Sequence, residues 1–146
     1  MKVNPIPEGF HTVTPYLLVK DSIALVDFLK KTFDAEEISI MNNPNGTIGH
    51  GQMRIGDSMV MLAEARGDYP PMPTMLYLYV EDVDSAYQRG IAAGGKSLRE
   101  PTDEFYGDRS CGLLDACGNQ WWVATHIEDV SPEEMQRREA LAKNQS

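Results

Sequence analysis

Tyr16-Leu17-Leu18-Val19-Lys20-Asp21 and, 61 residues further on, Tyr77-Leu78-Tyr79-Val80-Glu81-Asp82 are the same phrase written twice. Each is an apolar stretch of strand length that runs into an acid placed to cap a helix. After Asp21, Leu25, Phe28, Leu29 and Phe33 recur at helical spacing; after Asp82, Val83, Ala86, Tyr87 and Ile91 do the same before Gly94-Gly95 closes the segment. A chain with this period is built from one supersecondary unit used twice, and missing the repeat would misread the whole fold.

Strand signals follow each helix. In the first half they are Glu36 to Met41, the turn Asn42-Asn43-Pro44-Asn45-Gly46, Thr47 to Ile55, and, beyond Gly56-Asp57, Ser58 to Ala63. The second half answers with Lys96 to Leu98, a loop through Pro101, Tyr106 to Leu114, and, beyond Gly118-Asn119, Gln120 to Thr125. The pattern is strand, helix and three strands, twice, which makes an α+β fold of two βαβββ modules. Module one spans about 9–66 and module two about 74–128. Pro70, Pro71 and Pro73 lie in the connection 67–73 and forbid a continuous ladder or helix there. A half of this size buries too little to stand alone, so residues 1–146 are read as a single domain.

Ser131-Pro132-Glu133-Glu134 then opens a helix over 131–143, with Ser131 and Glu134 as a capping box and Pro132 at the first helical position. Glu133-Arg137, Glu134-Arg138 and Glu139-Lys143 stand in the favourable i,i+4 order, which predicts a mostly solvated tail.

The runs Met59-Val60-Met61-Leu62-Ala63 and Trp121-Trp122-Val123-Ala124 are apolar on both faces of a strand. One face packs under a helix, and the other needs cover. The expectation is a curved mixed sheet around a shared, largely apolar cavity.

Composition excludes several classes of function. A formal charge of −9, from 13 Lys and Arg against 22 Asp and Glu, offers no basic face for nucleic acid. No apolar run approaches the length needed to span a bilayer, and the first residues carry no secretory pattern, so the expected location is cytoplasmic. Cys111 and Cys117 have neither the C-x-x-C spacing nor a zinc spacing. Nucleophile-elbow, P-loop and dinucleotide fingerprints are absent from the sequence.

The repeat, the Val-x-Asp turn and the Asp115-Ala116-Cys117-Gly118-Asn119 hairpin resemble the vicinal-oxygen-chelate superfamily, the group of glyoxalase I, extradiol dioxygenases and bleomycin-resistance proteins. Thr12-Val13-Thr14-Pro15-Tyr16-Leu17, Arg54-Ile55-Gly56-Asp57-Ser58, Phe105-Tyr106-Gly107-Asp108-Arg109-Ser110 and Ala124-Thr125-His126 are similar to the PhnB-like branch, over about Gly9 to Glu134. The resemblance implies two βαβββ modules and a homodimer. Carried over by register, the positions at which metal-using members place His, Glu or Gln fall on Thr14, Val60 or Met61, Met75 and Trp122. Hydroxyl, thioether and indole are poor ligands for a divalent ion, so no metal and no other cofactor is expected.

Other residues are weighed against that. His50, on a middle strand, is the one histidine placed to face the cavity and the candidate acid–base group; His11 falls on the opposite face from Thr14, and His126 shares a face with Trp122 but sits roughly 13 Å along the strand. Of the neighbours Asp108 and Arg109 only one can face inward, Arg109 to grip a carboxylate or Asp108 a cation. Ligand contacts are therefore expected from Thr14, His50, Met61, Met75, Tyr77, Asp108, Arg109 and Trp122. The expected function is metal-independent binding or sequestration of a small apolar or aromatic molecule, as in bleomycin-resistance-like proteins. The alternative is a lyase, isomerase or dioxygenase of the glyoxalase type, using a divalent metal, with a site rebuilt from His50 and Glu64, or His50 as base.

Overall fold

Leu17 and Val19 point one way along β1 (Tyr16–Val19) and Tyr16 and Leu18 the other, and this division into a buried and an open face runs through both halves of the computed structural model, which describes residues 2–144. β1 leads into α1 (Ser22–Phe33), then β2 (Glu36–Asn42), β3 (Ile48–Ile55) and β4 (Ser58–Glu64). These strands form a sheet of order β1-β4-β3-β2, parallel between β1 and β4 and antiparallel elsewhere. β5 (Met75–Tyr79), α2 (Val83–Ala92), β6 (Lys96–Asp103), β7 (Asp108–Leu114) and β8 (Gln120–His126) repeat the arrangement in a second sheet of order β5-β8-β7-β6. A final helix, α3 (Pro132–Asn144), follows.

Both helix starts are capped as the repeat predicts. Asp21 accepts from the Ala24 amide at 3.0 Å and Asp82 from the Ser85 amide at 3.2 Å. A second tie joins each helix start to the end of its module. Glu64 Oε1, on β4, accepts from the Ser22 amide (3.0 Å) and hydroxyl (2.7 Å); Thr125, on β8, accepts from the Val83 amide (2.9 Å) and donates to the Val80 carbonyl (2.9 Å).

The two modules share one core. Leu17, Val19, Val60 and Leu62 of the first sheet, Cys111, Leu113, Trp121 and Val123 of the second, and the inner faces of α1 and α2 belong to a single cluster. Fully buried Trp121 touches Phe28 and Phe33 of the first module, with ring centroids at 6.4 and 5.5 Å. At Gly90 a side-chain carbon would lie 2.6 Å from Leu113 Cδ1 and 3.2 Å from Thr32 Cγ2, so only glycine lets α2 approach both α1 and β7.

Three local expectations change. β6 runs to Asp103, through the predicted loop at Pro101; it is the outermost strand, and register shifts between Ser97 and Thr102 take the proline out of the ladder. β7 begins at Asp108 because Gly107, at φ +95°, turns the chain just before it. On α3, Arg137 pairs with Glu134 rather than Glu133 (2.6 Å), and Arg138 reaches Glu134, Glu128 and the Phe105 carbonyl, fastening a helix without buried residues. No helix among the described residues is long and apolar enough to cross a membrane.

Candidate functional site

Strand alternation gives the second sheet an outer face, turned away from the shared core, on which Met75, Tyr77 and Tyr79 of β5 stand beside Trp122 of β8 and Asp108 of β7. Tyr77 lies opposite Trp122 in the parallel pair β5–β8, and the Tyr77 and Tyr79 rings meet edge to face at 5.4 Å. Arg99 of β6 stacks over the Trp122 indole at 5.1 Å, donates to Ser110 Oγ at 2.6 Å and pairs with Glu104 at 3.0 Å.

Asp108 is the hub of this face. Its side chain is only 4% exposed, and Oδ2 accepts from the hydroxyls of Tyr77 (2.8 Å) and Tyr79 (2.9 Å) while Oδ1 faces His126 Nδ1 at 2.9 Å. Burial pushes its carboxyl up, but the bonds from His126 and the two tyrosines outweigh burial and hold it below the usual carboxylate range. Tyr77 is raised by burial and by Asp108, and Tyr79 chiefly by its bond to Asp108, so both phenols keep their protons at neutral pH. His126 has carboxylates on both ring nitrogens, Asp108 and, at 2.7 Å, Asp129; both contacts raise its pKa.

A groove of about 1440 Å³ runs between the modules along the free edge of β5. Its first-module wall includes His11, Val13, Pro15, Ile55, Met59 and Val60; the facing wall includes Leu76, Tyr77, Leu78, Tyr79, Thr125 and His126. Asp34, Asp57, Glu81 and Asp82 lie along it with one arginine, Arg89.

Of the residues expected at the site, Tyr77 borders this groove, and Met75, Asp108 and Trp122 share the adjoining outer face. His50 and Met61 occupy the outer face of the other sheet, where His50 Nδ1 meets the Tyr16 hydroxyl at 3.1 Å and Gln52 stands opposite Met61. Thr14 hydrogen-bonds to its own turn, at the His11 carbonyl, and the groove passes beside it at Val13 and Pro15. Arg109 lies on the helix side of β7, held by Asp84 through Nε and Nη2 (2.9 Å each) and by Asp103 (3.0 Å). Within one chain, then, Thr14, His50 and Met61 do not line the groove with Tyr77.

Three features were missed in the sequence. Arg99 falls in a stretch read as loop, and its stacking on Trp122 depends on a cross-strand register that spacing does not fix. Tyr79, quoted only within the repeated phrase, shares the carboxylate of Asp108. Asp115, quoted only as part of a hairpin, is buried and accepts from the Cys117 and Asn119 amides, Asn119 Nδ2 and Trp121 Nε1; a D-x-x-x-N turn two residues before a buried Trp was the available signal.

The donor set does not fit a resident metal. Glu64 Oε1 is held by Ser22, Asp108 by three donors and His50 by Tyr16 and Gln52, and among the described residues no three His, Cys, Asp or Glu side chains converge on a point that could hold an ion. Nor is a thiol poised for attack: burial pushes Cys111 and Cys117 up to about 11.

Residues 9–123 match the model of the Glyoxalase/Bleomycin resistance protein/Dioxygenase superfamily, and the chain belongs to that family. It is 30% identical to the uncharacterized protein Mb0911c of Mycobacterium bovis, across 93% of this chain and 94% of that protein. Among solved structures it resembles TioX from Micromonospora sp. ML1 (TM-score 0.69, 24% identity, 80% of this chain and 99% of that one). FosX from Listeria monocytogenes, complexed with Mn(II) and sulfate, is similar at a TM-score of 0.63 and 19% identity over 88% of this chain and 97% of its own, and the PhnB protein from Bacillus cereus at 0.63 and 19% over 79% and 99%. At these identities the likeness shows the fold alone.

Proposed function

We propose that this protein binds a small apolar or aromatic molecule without a metal ion, in the groove along β5, as a cytoplasmic homodimer. The observation that carries the reading is the pairing of walls: Val13, Pro15, Ile55 and Met59 on one side, the Tyr77 and Tyr79 rings on the other. The volume exceeds the roughly 300–1,000 Å³ usual for ligand pockets, and the facing apolar and aromatic walls are the usual character of such sites, here with an acidic border of Asp34, Asp57, Glu81 and Asp82. Met75 and Trp122 extend the apolar surface beyond the groove. The hydrogen bonds that already engage Asp108, Glu64 Oε1 and His50 support the metal-free part.

A second copy supplies the missing cover. Tyr16, Met41, Met75 and Tyr79 are 47%, 64%, 61% and 64% exposed, and lie on sheets whose other faces already fill the core. The outer face of one copy's first sheet, with Thr14, His50 and Met61, would then roof the Trp122 face of the other. Two free, inert thiols suit a reducing compartment.

Calorimetric titration with 2-(2-naphthyl)ethanol tests the binding. One site per chain is expected, unchanged after dialysis against EDTA, and weakened about tenfold by Tyr77→Ala, the loss of one stacking ring. Binding that vanishes on chelation and returns with Mn(II) overturns the metal-free reading. Light scattering should give twice the 16.3 kDa chain mass; a monomer at micromolar concentration removes the roof and the homodimer with it.

A further inference from the structure

We propose that the ligand of this groove is peptide-like: an extended molecule, uncharged or cationic, whose secondary amide pairs with the free backbone edge of β5 while its aromatic group lies beside the Tyr77 and Tyr79 rings. The inference rests on the reading of the groove as the ligand site and names the class of molecule that the site takes.

Register decides which backbone groups are free. In the parallel pair β5–β8, the Thr74 carbonyl accepts from the Gln120 amide and the Val80 amide donates to the Ala124 carbonyl, both at 2.8 Å. Alternate residues of a strand turn their amide and carbonyl to the same side, so those of Leu76 and Leu78 also address β8, and those of Met75, Tyr77 and Tyr79 point away from it. β5 is the outermost strand, and no backbone bond from another described residue reaches these three on that side. The groove is lined by the unbroken run Leu76 to Asp82, residues of both strand faces alike, so it is the edge of β5 that borders it.

The repeat shows what such an edge takes. Leu18 of β1 stands where Tyr79 stands 61 residues later, opposite Ala63 as Tyr79 is opposite Ala124. The Leu18 carbonyl accepts at 3.0 Å from the amide of Met72, in the linker, which pairs there antiparallel to β1. The second module sends no such strip back to β5: beyond β8 the Ile127 and Glu128 amides both donate to the Gly107 carbonyl. A peptide-like ligand supplies the equivalent partner, exchanging two bonds with Tyr79 as an added antiparallel strand does. Residues directly opposite share a face, so an aromatic group on the paired residue lies beside Tyr79 and Tyr77. The flanking groups turn to the other face, where the groove lining includes the core residues Phe33 and Val60.

Charge narrows the class. Asp34, Asp57, Glu81 and Asp82 border the groove, and Arg89, the one arginine among its lining residues, already donates to the Thr32 carbonyl and to Ser85 Oγ. A free carboxylate beside the paired amide would meet four like charges, whereas a capped or cationic chain would not.

Four probes with one aromatic group read this out by calorimetry at pH 7: N-acetyl-3-(2-naphthyl)alanine methylamide, its analogue with an ester oxygen in place of the acetylated N–H, the free acid of the first, and 2-(2-naphthyl)ethanol. The methylamide should bind about tenfold tighter than the ester or the alcohol, the loss of one buried hydrogen bond, and tighter than the acid. By NMR, hydrogen exchange at the Tyr77 or Tyr79 amide should be fast in the free protein and slow about tenfold when the methylamide is bound. An ester or an acid that binds as well as the methylamide overturns the peptide-like assignment. So do edge amides that the ligand leaves unprotected, or that are protected already without it, as a second copy paired on this edge would make them; in each case binding of the alcohol keeps the groove as the ligand site. Failure of all four probes to bind at millimolar concentration overturns the groove itself.

Discussion

The two modules have the same strand order, the same capped helix start and the same parallel pair, yet their outer faces differ. On the first sheet, Tyr16, His50, Gln52 and Met61 form a lightly bonded surface in which His50 meets Tyr16 at 3.1 Å and Gln52 at 3.3 Å, with an exposed Arg54–Glu36 pair beside it. On the second, a nearly buried carboxylate organises two tyrosines and a histidine within 3 Å. The inner faces are under common constraint because they fill one core, while the outer faces are free to diverge. Duplication has thus kept the scaffold and left specificity to the surfaces that do not hold it up.

The strongest way to break this comparison is to attack what the halves share. Trp121→Ala should cost about 3–5 kcal/mol in denaturant unfolding and leave a single transition, because the indole packs against helix α1 of the other module. Two separate transitions in the unmodified protein would show that the core is not common property. Next comes the difference between the outer faces. Asp108→Ala removes a buried acceptor of charge-assisted bonds and should cost about 2 kcal/mol, whereas Tyr16→Phe, which removes the hydroxyl that meets His50 on the first sheet, should stay within about 0.5 kcal/mol.

A pH series sharpens the same contrast. The pKa of His126 is raised in the folded protein, so its contribution to stability is complete below its unfolded value, about 6.5, and fades as pH rises through the higher folded value. Asp108 is held low, so its share is present above about 3.9 and fades as pH falls through the folded value. Melting temperature should therefore decline as pH rises above about 6.5, and His126→Gln should flatten that limb; an unchanged limb in the variant would remove His126 from the account. The smallest effect is expected at the tail, where Arg138→Ala unpins α3 from Glu128 and Phe105 and should leave the denaturant midpoint of the core unchanged, because exposed ion pairs contribute little.

How far the sequence could be read follows the same division. The repeat, both N-caps, the proline connection and the terminal helix were legible because they rest on local rules: apolar period, capping chemistry, missing amide protons. Which face of each strand is buried was legible only in alternation, so Tyr77 and Trp122 could be placed on one face but not relative to Thr14. Their relation depends on how two modules turn about a shared core, which no local pattern encodes. Arg109 illustrates the limit: its fork suits a ligand carboxylate, and Asp84, 25 residues earlier on α2, holds it instead. Glu64 was similarly taken by Ser22, 42 residues away.

The connection between the modules has a consequence of its own. Met72 donates its amide to the Leu18 carbonyl at 3.0 Å, laying the linker alongside β1, the first sheet's outermost strand. Pro70, Pro71 and Pro73 offer no amide hydrogens, so this strip touches the strand once and cannot grow into a ladder. One of the four sheet borders that could recruit foreign β-structure is thus stoppered by the tether itself, which leaves β2, β5 and β6 as the edges open to such pairing.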